Sequence, residues 1–204
     1  MSGILNVLVG SSYFTPITRT YTTGTSATET IPVLASSVVI EVFGASGAGG
    51  AYSGGPSVYY GGGGGGSGGY SKKTASVVGS GGLTMTYSVG ALGTTTAGTG
   101  NAGTGSNVVS GTFSLTTIST NGGAGGTQGF VSGGLGGAGG AAGSGGDTNA
   151  AGNDGTPGTT LTNGVGGAGK TGTNGDGLAG GDGAYYPNPT QVDGGTGIII
   201  FSYT

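Results

Sequence analysis

The chain has 204 residues, of which 57 are glycine and 6 proline, with 5% charged residues and a net charge of −3. Four cations (Arg19, Lys72, Lys73 and Lys170) form no basic stripe for nucleic acid, and the absence of cysteine and histidine removes disulfides, zinc sites and Cys/His catalysis. No apolar run approaches the roughly 18 residues of a membrane span, so no membrane insertion is expected.

Residues 1–16 read as an apolar-then-polar arm ending at Pro16, with Ile4, Leu5, Val7, Leu8 and Val9 as candidate attachment residues. The opening MSGILNVLVGSSYF lacks a charged n-region and does not read as a signal peptide. ITRTYTT at 17–23 alternates β-branched and polar residues, which predicts a strand; TETIPV at 28–33 predicts a second, with Pro32 at an edge or end. SVVIEVF at 37–43 is the strongest strand and feeds directly into GASGAGG at 44–50. A tyrosine-bearing loop, AYSGGPSVYY at 51–60, precedes the glycine run 61–66. YSKKTASVV at 70–78 and LTMTYSV at 83–89 predict strands about the turn GSGG at 79–82, and 106–120 carries one or two more. From 121 to 183 the chain is almost entirely glycine-rich, broken by GFV at 129–131, NDGTPG at 153–158 and TTLT at 159–162. The loop AYYPNPTQVDGG at 184–195 leads to a closing strand, GIIIFSYT at 197–204.

No segment has helical periodicity. Instead, Ser132, Leu135, Ala138, Ala141, Ser144 and Asp147 recur at every third residue between glycines, and Gly166, Gly169, Gly172 and Gly175 keep the same step. Three residues per turn belongs to the extended left-handed helix, which has no internal hydrogen bonds. Its buried N–H and C=O groups must pair with neighbouring segments, and glycine permits that approach on every side. Glycine and proline at this level make disorder the bland reading; the strand runs argue for order. Collagen requires glycine at every third position throughout and abundant proline, which this chain lacks. The expected fold is mainly β with no α-helix, a sheet or sandwich region integrated with a bundle of glycine helices. Residues 1–26 form an attachment arm or first strands, and 27–204 form the glycine-rich domain.

Motifs that carry chemistry are weak. GVGGAGKT at 164–171 matches the phosphate-loop pattern, with Lys170 and Thr171 in the phosphate and magnesium positions. It lacks a preceding buried strand, and the glycine-rich GTNGDGLAGG that follows is no helix, so the match reads as chance. Asp176, Asp182 and Asn174 are faintly like calcium-binding glycine repeats, but the nonapeptide pattern is absent and solvated turn acids are the better reading. No enzyme activity, cofactor or metal is expected. Aromatics are more informative: Tyr52, Tyr59, Tyr60, Tyr185 and Tyr186 sit in glycine-flanked loops, as does Phe130. Such rings suit sugar or protein surfaces, or cap the ends of the bundle.

TETIPVLASSVVIEVFGASGAGG at 28–50, GGSGGYSKKTASVVGSGGLTMTYSVGALG at 65–93 and DGGTGIIIFSYT at 193–204 resemble the glycine-rich domain of bacteriophage tail-fibre and adhesin proteins. The resemblance implies polyglycine-II helices capped by a β region, a place on the virion, and host recognition through loops between glycine segments. It does not identify receptor residues; the loop aromatics Tyr52, Tyr59, Tyr60, Phe130, Tyr185 and Tyr186 are themselves the receptor-contact candidates, for a bacterial surface protein or glycan. It also implies that residues 1–26 dock on another virion protein, with a homotrimer or a bundle closed within one chain both open. The other expectation is a structural virion component (a capsid decoration, head fibre or tail-assembly subunit) that binds no receptor.

Overall fold

Strand β3 (Ser37–Phe43) shows how the sequence makes the sheets. Side chains alternate across a strand, so Val38, Ile40 and Val42 enter one apolar cluster while Phe43 enters another. The computed structural model describes residues 13–55, 58–185 and 190–204. Within them the protein is all-β with no helix.

The five-stranded sheet has the order β1 (Ile17–Tyr21), β11 (Ile198–Tyr203), β3, β6 (Tyr70–Ser76) and β10 (Thr148–Ala150). The four-stranded sheet has the order β2 (Ala27–Thr30), β7 (Thr84–Ser88), β8 (Asn107–Ser110) and β9 (Ile118–Ser119). All pairings are antiparallel. Ile40, Val42, Ile199, Phe201 and Tyr203 from the first sheet pack with Met85, Tyr87, Val108 and Ile118 from the second. The strands foreseen at 17–23, 28–33, 70–78 and 83–89 are present but shorter. Pro32 ends β2 early, because it lacks an N–H for the ladder. β10 and the small pair β4 (Ser53–Gly55) and β5 (Val58–Tyr60) were not foreseen. Each is three residues long and held by its neighbours rather than by a pattern of its own.

The sheets continue into the glycine segments without a change of register. Phe43 pairs with Tyr70 at the end of β3–β6. Beyond it, the N–H groups of Gly44, Gly47 and Gly50 donate to the carbonyls of Gly69, Gly66 and Gly63. The same register then carries Ser53 opposite Tyr60 and Gly55 opposite Val58. Residues 37–55 and 58–76 are therefore the two arms of one long hairpin, β at its base, glycine in its middle and β again toward its far end. The same holds for β11: Ile198 faces Phe43, and Ser46 and Gly49 donate to Gly195 and Val192.

In the glycine region the bonds fan out. Gly61, Gly64 and Ser67 donate to Thr159, Thr156 and Asn153; Gly62 and Gly65 donate to Ala184 and Gly181; Gly63, Gly66 and Gly69 donate to Thr127, Ala124 and Asn121. Carbonyls of the same segment accept from Gly134, Gly137 and Gly140, from Gly164 and Gly167, and from Gly44, Gly47 and Gly50. The segment 61–69 thus touches six others and is wholly buried. Segment 44–50 is likewise buried, among 61–69, 98–104, 192–195, 181–184, 123–129 and Gly93. Neighbours run both parallel and antiparallel.

Hydroxyls complete this network where a carbonyl is already engaged. Thr156 donates its N–H to Val165 O, and its own carbonyl accepts from Gly64. The Val165 N–H then goes to Thr156 Oγ1, at 2.7 Å. Thr127 serves Leu135 in the same way, and Thr104 serves Ala91. A carbonyl bonded to a third segment needs a substitute acceptor for the second, and threonine carries one beside it. That is a structural reason for the many threonines at segment ends.

Candidate functional site: the far pole

The hairpin geometry defines two poles. The sheet pole gathers the start of β1, the turn around Pro32–Ser36, the turn 77–83 and Thr204, whose carbonyl accepts from the Ser36 and Ser37 N–H groups. The far pole gathers the loops between glycine segments. Gly61 joins two of these, accepting from Gly134 and donating to Thr159; Ala51 joins two more, donating to Gly98 and accepting from Gly129; Ala184 binds Gly50 and Gly62. The segments foreseen as receptor loops at 51–60, 127–131 and the start of 184–193 therefore meet at one end, with 94–99 and 157–163 beside them.

The side chains there fall into two groups. Tyr52, Tyr59, Tyr60 and Tyr185 are half-buried. Tyr60 forms a backbone bridge with Thr160, and the Leu161 N–H donates to the Tyr59 carbonyl. The displayed apolar groups are Phe130 at 71% exposure, Val131 at 77% and Leu161 at 61%, with Leu135 and Val165 one step below. Leu161 was not singled out from the sequence. Its φ of 76° places it in the left-handed region, where a leucine costs about 1–2 kcal/mol. Strain of this kind, on a side chain that gains nothing by burial, is a pointer to function. TTLT reads in sequence only as a break in the glycine pattern. Tyr186 and the attachment candidates Ile4, Leu5, Val7, Leu8 and Val9 lie outside the described residues.

No protein-family model matches the chain, and no curated protein matches it. Function is read from the geometry.

Among the described residues charge is sparse at the far pole: stretches 51–55, 58–62, 94–99, 127–135, 157–165, 184–185 and 190–191 carry no Asp, Glu, Lys or Arg, and the carboxylate that reaches them is that of Asp193, on the Thr95 N–H. The acids instead serve the backbone. Asp154, Asp182, Asp193 and Asp147 accept from the N–H groups of Gly139, Gly166, Thr95 and Thr74, and Asp176 accepts from Gly172. Glu41, fully buried, accepts from the N–H groups of Thr173 and Asn174 at 2.5 and 2.7 Å and from the Tyr70 hydroxyl at 2.7 Å. It ties the 170–177 turn over the face of β3. Among the described residues no group of acids could hold a metal ion. Lys170 donates to Asn153 Oδ1 at 2.9 Å, and Thr171 bridges to Asp176 within a pair of extended segments. The loop-before-helix support that a phosphate site requires is not what surrounds them.

The titratable cluster in the sandwich is structural. Glu29, 1% exposed, accepts from Arg19 Nη1 at 2.7 Å, the Tyr21 hydroxyl at 2.6 Å and the Tyr203 hydroxyl at 2.8 Å. Burial, then the bond to Glu29, pushes the Tyr21 phenol up to about 12, and the same causes raise Tyr203. Burial also raises Tyr70 and Tyr87. These phenols hold their protons more tightly folded than unfolded, so the stability they lend is whole below the ordinary phenol value of 10.0 and is lost as pH rises through their folded values. Phenolate absorbance followed with pH should show two phases, the second arriving with loss of the fold. A single phase near the ordinary phenol value, with the fold retained, would contradict this arrangement.

Proposed function

We propose that the glycine segments are polyglycine-II helices packed on a hexagonal net, and that they carry a phage tail-associated adhesin whose far pole contacts a bacterial surface protein or glycan. For the net, the support is the rotation of successive N–H groups among three neighbours and the six partners around 61–69. For the adhesin, one observation carries the reading: the far pole bearing Phe130, Val131 and the strained Leu161 lies at the end opposite Ile17, the start of β1. A molecule held at the sheet pole thus presents its apolar loops outward. The tyrosines act as half-buried supports of those loops, and the contact is binding without chemistry.

The reading as a structural virion component is favoured by one feature. Val33, Leu34 and Val78 are exposed at the sheet pole, and Leu34 has a φ of 71°. The adhesin reading assigns that surface to a virion neighbour. Labelled full-length protein added to host cells, with and without competing intact phage, separates the two. Saturable binding that blocks phage adsorption is expected; no binding by the folded protein would leave the structural role.

A further inference from the structure

The sides of the glycine bundle pose a problem that the far pole does not. A segment inside the bundle is bonded on all sides, whereas a peripheral segment ends the net and turns its remaining backbone groups to water. In a sheet, the unpaired groups of an edge strand invite a further strand and open-ended association. A bare peripheral glycine segment offers the same invitation to a glycine segment of another molecule, because the approach that builds the bundle requires only that no Cβ intervene.

The exposure pattern answers this directly. Along 132–141, Ser132, Leu135, Ala138 and Ala141 are exposed, Gly133, Gly136 and Gly139 are half-buried, and Gly134, Gly137 and Gly140 are buried. In the next-but-one segment Thr162, Val165 and Ala168 are exposed while Gly164 and Gly167 are buried. From 120 to 185 no glycine is exposed, and every exposed position bears a side chain. Gly105 is the exposed glycine of the neighbouring stretch, and a Cβ there would stand 2.0 Å from Thr120 O.

Buried side chains show how strict the contact is. Ala45 and Ala48 lie wholly inside, and glycines lie against their carbonyls: a Cβ on Gly103 would stand 2.5 Å from Ala45 O, and one on Gly100 would stand 2.3 Å from Ala48 O. Gly194 lies in the same way against Ser46 O, and Gly152 against Ser67 O. A neighbouring backbone approaches these carbonyls only where it carries no Cβ. Two copies meeting side to side would bring Cβ against Cβ at every exposed step.

We infer that the three-residue rows of exposed non-glycines close the sides of the bundle against a second copy of this chain, and that removing them converts those sides into self-association surfaces. The inference rests on the hydrogen-bond net and not on receptor binding. It also explains why alanine suffices in these rows, since a single Cβ is enough to keep a backbone away.

The test uses the full chain with A138G/A141G on one segment and V165G/A168G on another. Sedimentation velocity should show concentration-dependent association, with about a doubling or more of the sedimenting mass. A138S/A141S, which keeps both Cβ atoms, should sediment like the parent. Hydrogen exchange at the buried glycine amides establishes that each variant is folded, and the two glycine pairs lie on different segments, so loss of one leaves the other to decide. Folded glycine variants that sediment like the parent would overturn the inference. So would a serine variant that associates as strongly as its glycine counterpart.

Discussion

Gly65→Ala should cost the protein about 4 kcal/mol or more, measured as the shift in denaturant midpoint at constant slope. A Cβ on Gly65 would stand 2.1 Å from Gly47 O and 2.8 Å from Ala48 O, both backbone atoms. Relief requires segment 44–50 to withdraw, and that segment donates from Gly47 to Gly66 and from Gly50 to Gly63. Overpacking alone costs about 1–3 kcal/mol, and each buried donor left without a partner adds about 1–3 more. Alanine's lower entropy in the unfolded chain returns less than about 1 kcal/mol. Gly98→Ala is the control: its Cβ would meet only Gln128 Oε1, at 3.8 Å. That variant should be neutral or slightly stabilised. Equal effects at the two positions would show that backbone contact in the bundle does not govern stability.

Replacing Phe130 and Val131 with Ser and Leu161 with Asn should weaken cell binding by at least about 30-fold while leaving the unfolding midpoint nearly unchanged. All three side chains are mostly exposed, so their loss removes little buried area. Asn tolerates the left-handed backbone at 161, which keeps the turn intact. Because Phe130, Val131 and Leu161 are apolar and the carboxylate that reaches the loops, Asp193, is engaged by the Thr95 N–H, binding should also vary little between about 0.05 and 0.5 M salt. A steep salt dependence, or unchanged binding by the folded triple variant, would place the contact elsewhere on the molecule. On the proposed adhesin reading, several copies on one virion would multiply a modest single-site affinity.

The long strands were legible because they follow simple alternation. SVVIEVF at 37–43 was placed to the residue, and the closing strand nearly so. The period-three row Ser132, Leu135, Ala138 and Ala141 was legible as a pattern, and the structure turns that pattern outward. The far-pole site was only half legible. Glycine-flanked loops marked where the chain turns, and the tyrosines drew attention to themselves as aromatics. Whether a ring is displayed or half-buried depends on which segments flank it, and Tyr60 is held beside Thr160, a hundred positions along the chain. Leu161 carried no signal, because its interest lies in a backbone angle and an exposure that no local pattern encodes.

By itself the sequence determined the absence of helical periodicity, the positions of the long strands, the spacing of three in the glycine runs and the low overall charge. These are local properties, set by side-chain alternation, glycine's missing Cβ and composition. The tertiary structure alone decided which segment lies at the centre, which carbonyl each N–H reaches, and that the loops converge at the end opposite the start of β1. Glycine segments are nearly interchangeable as sequence, so partner choice falls to what frames them: the register handed on from β3, β6 and β11, and the few Ala, Ser and Thr side chains that admit one neighbour and refuse another.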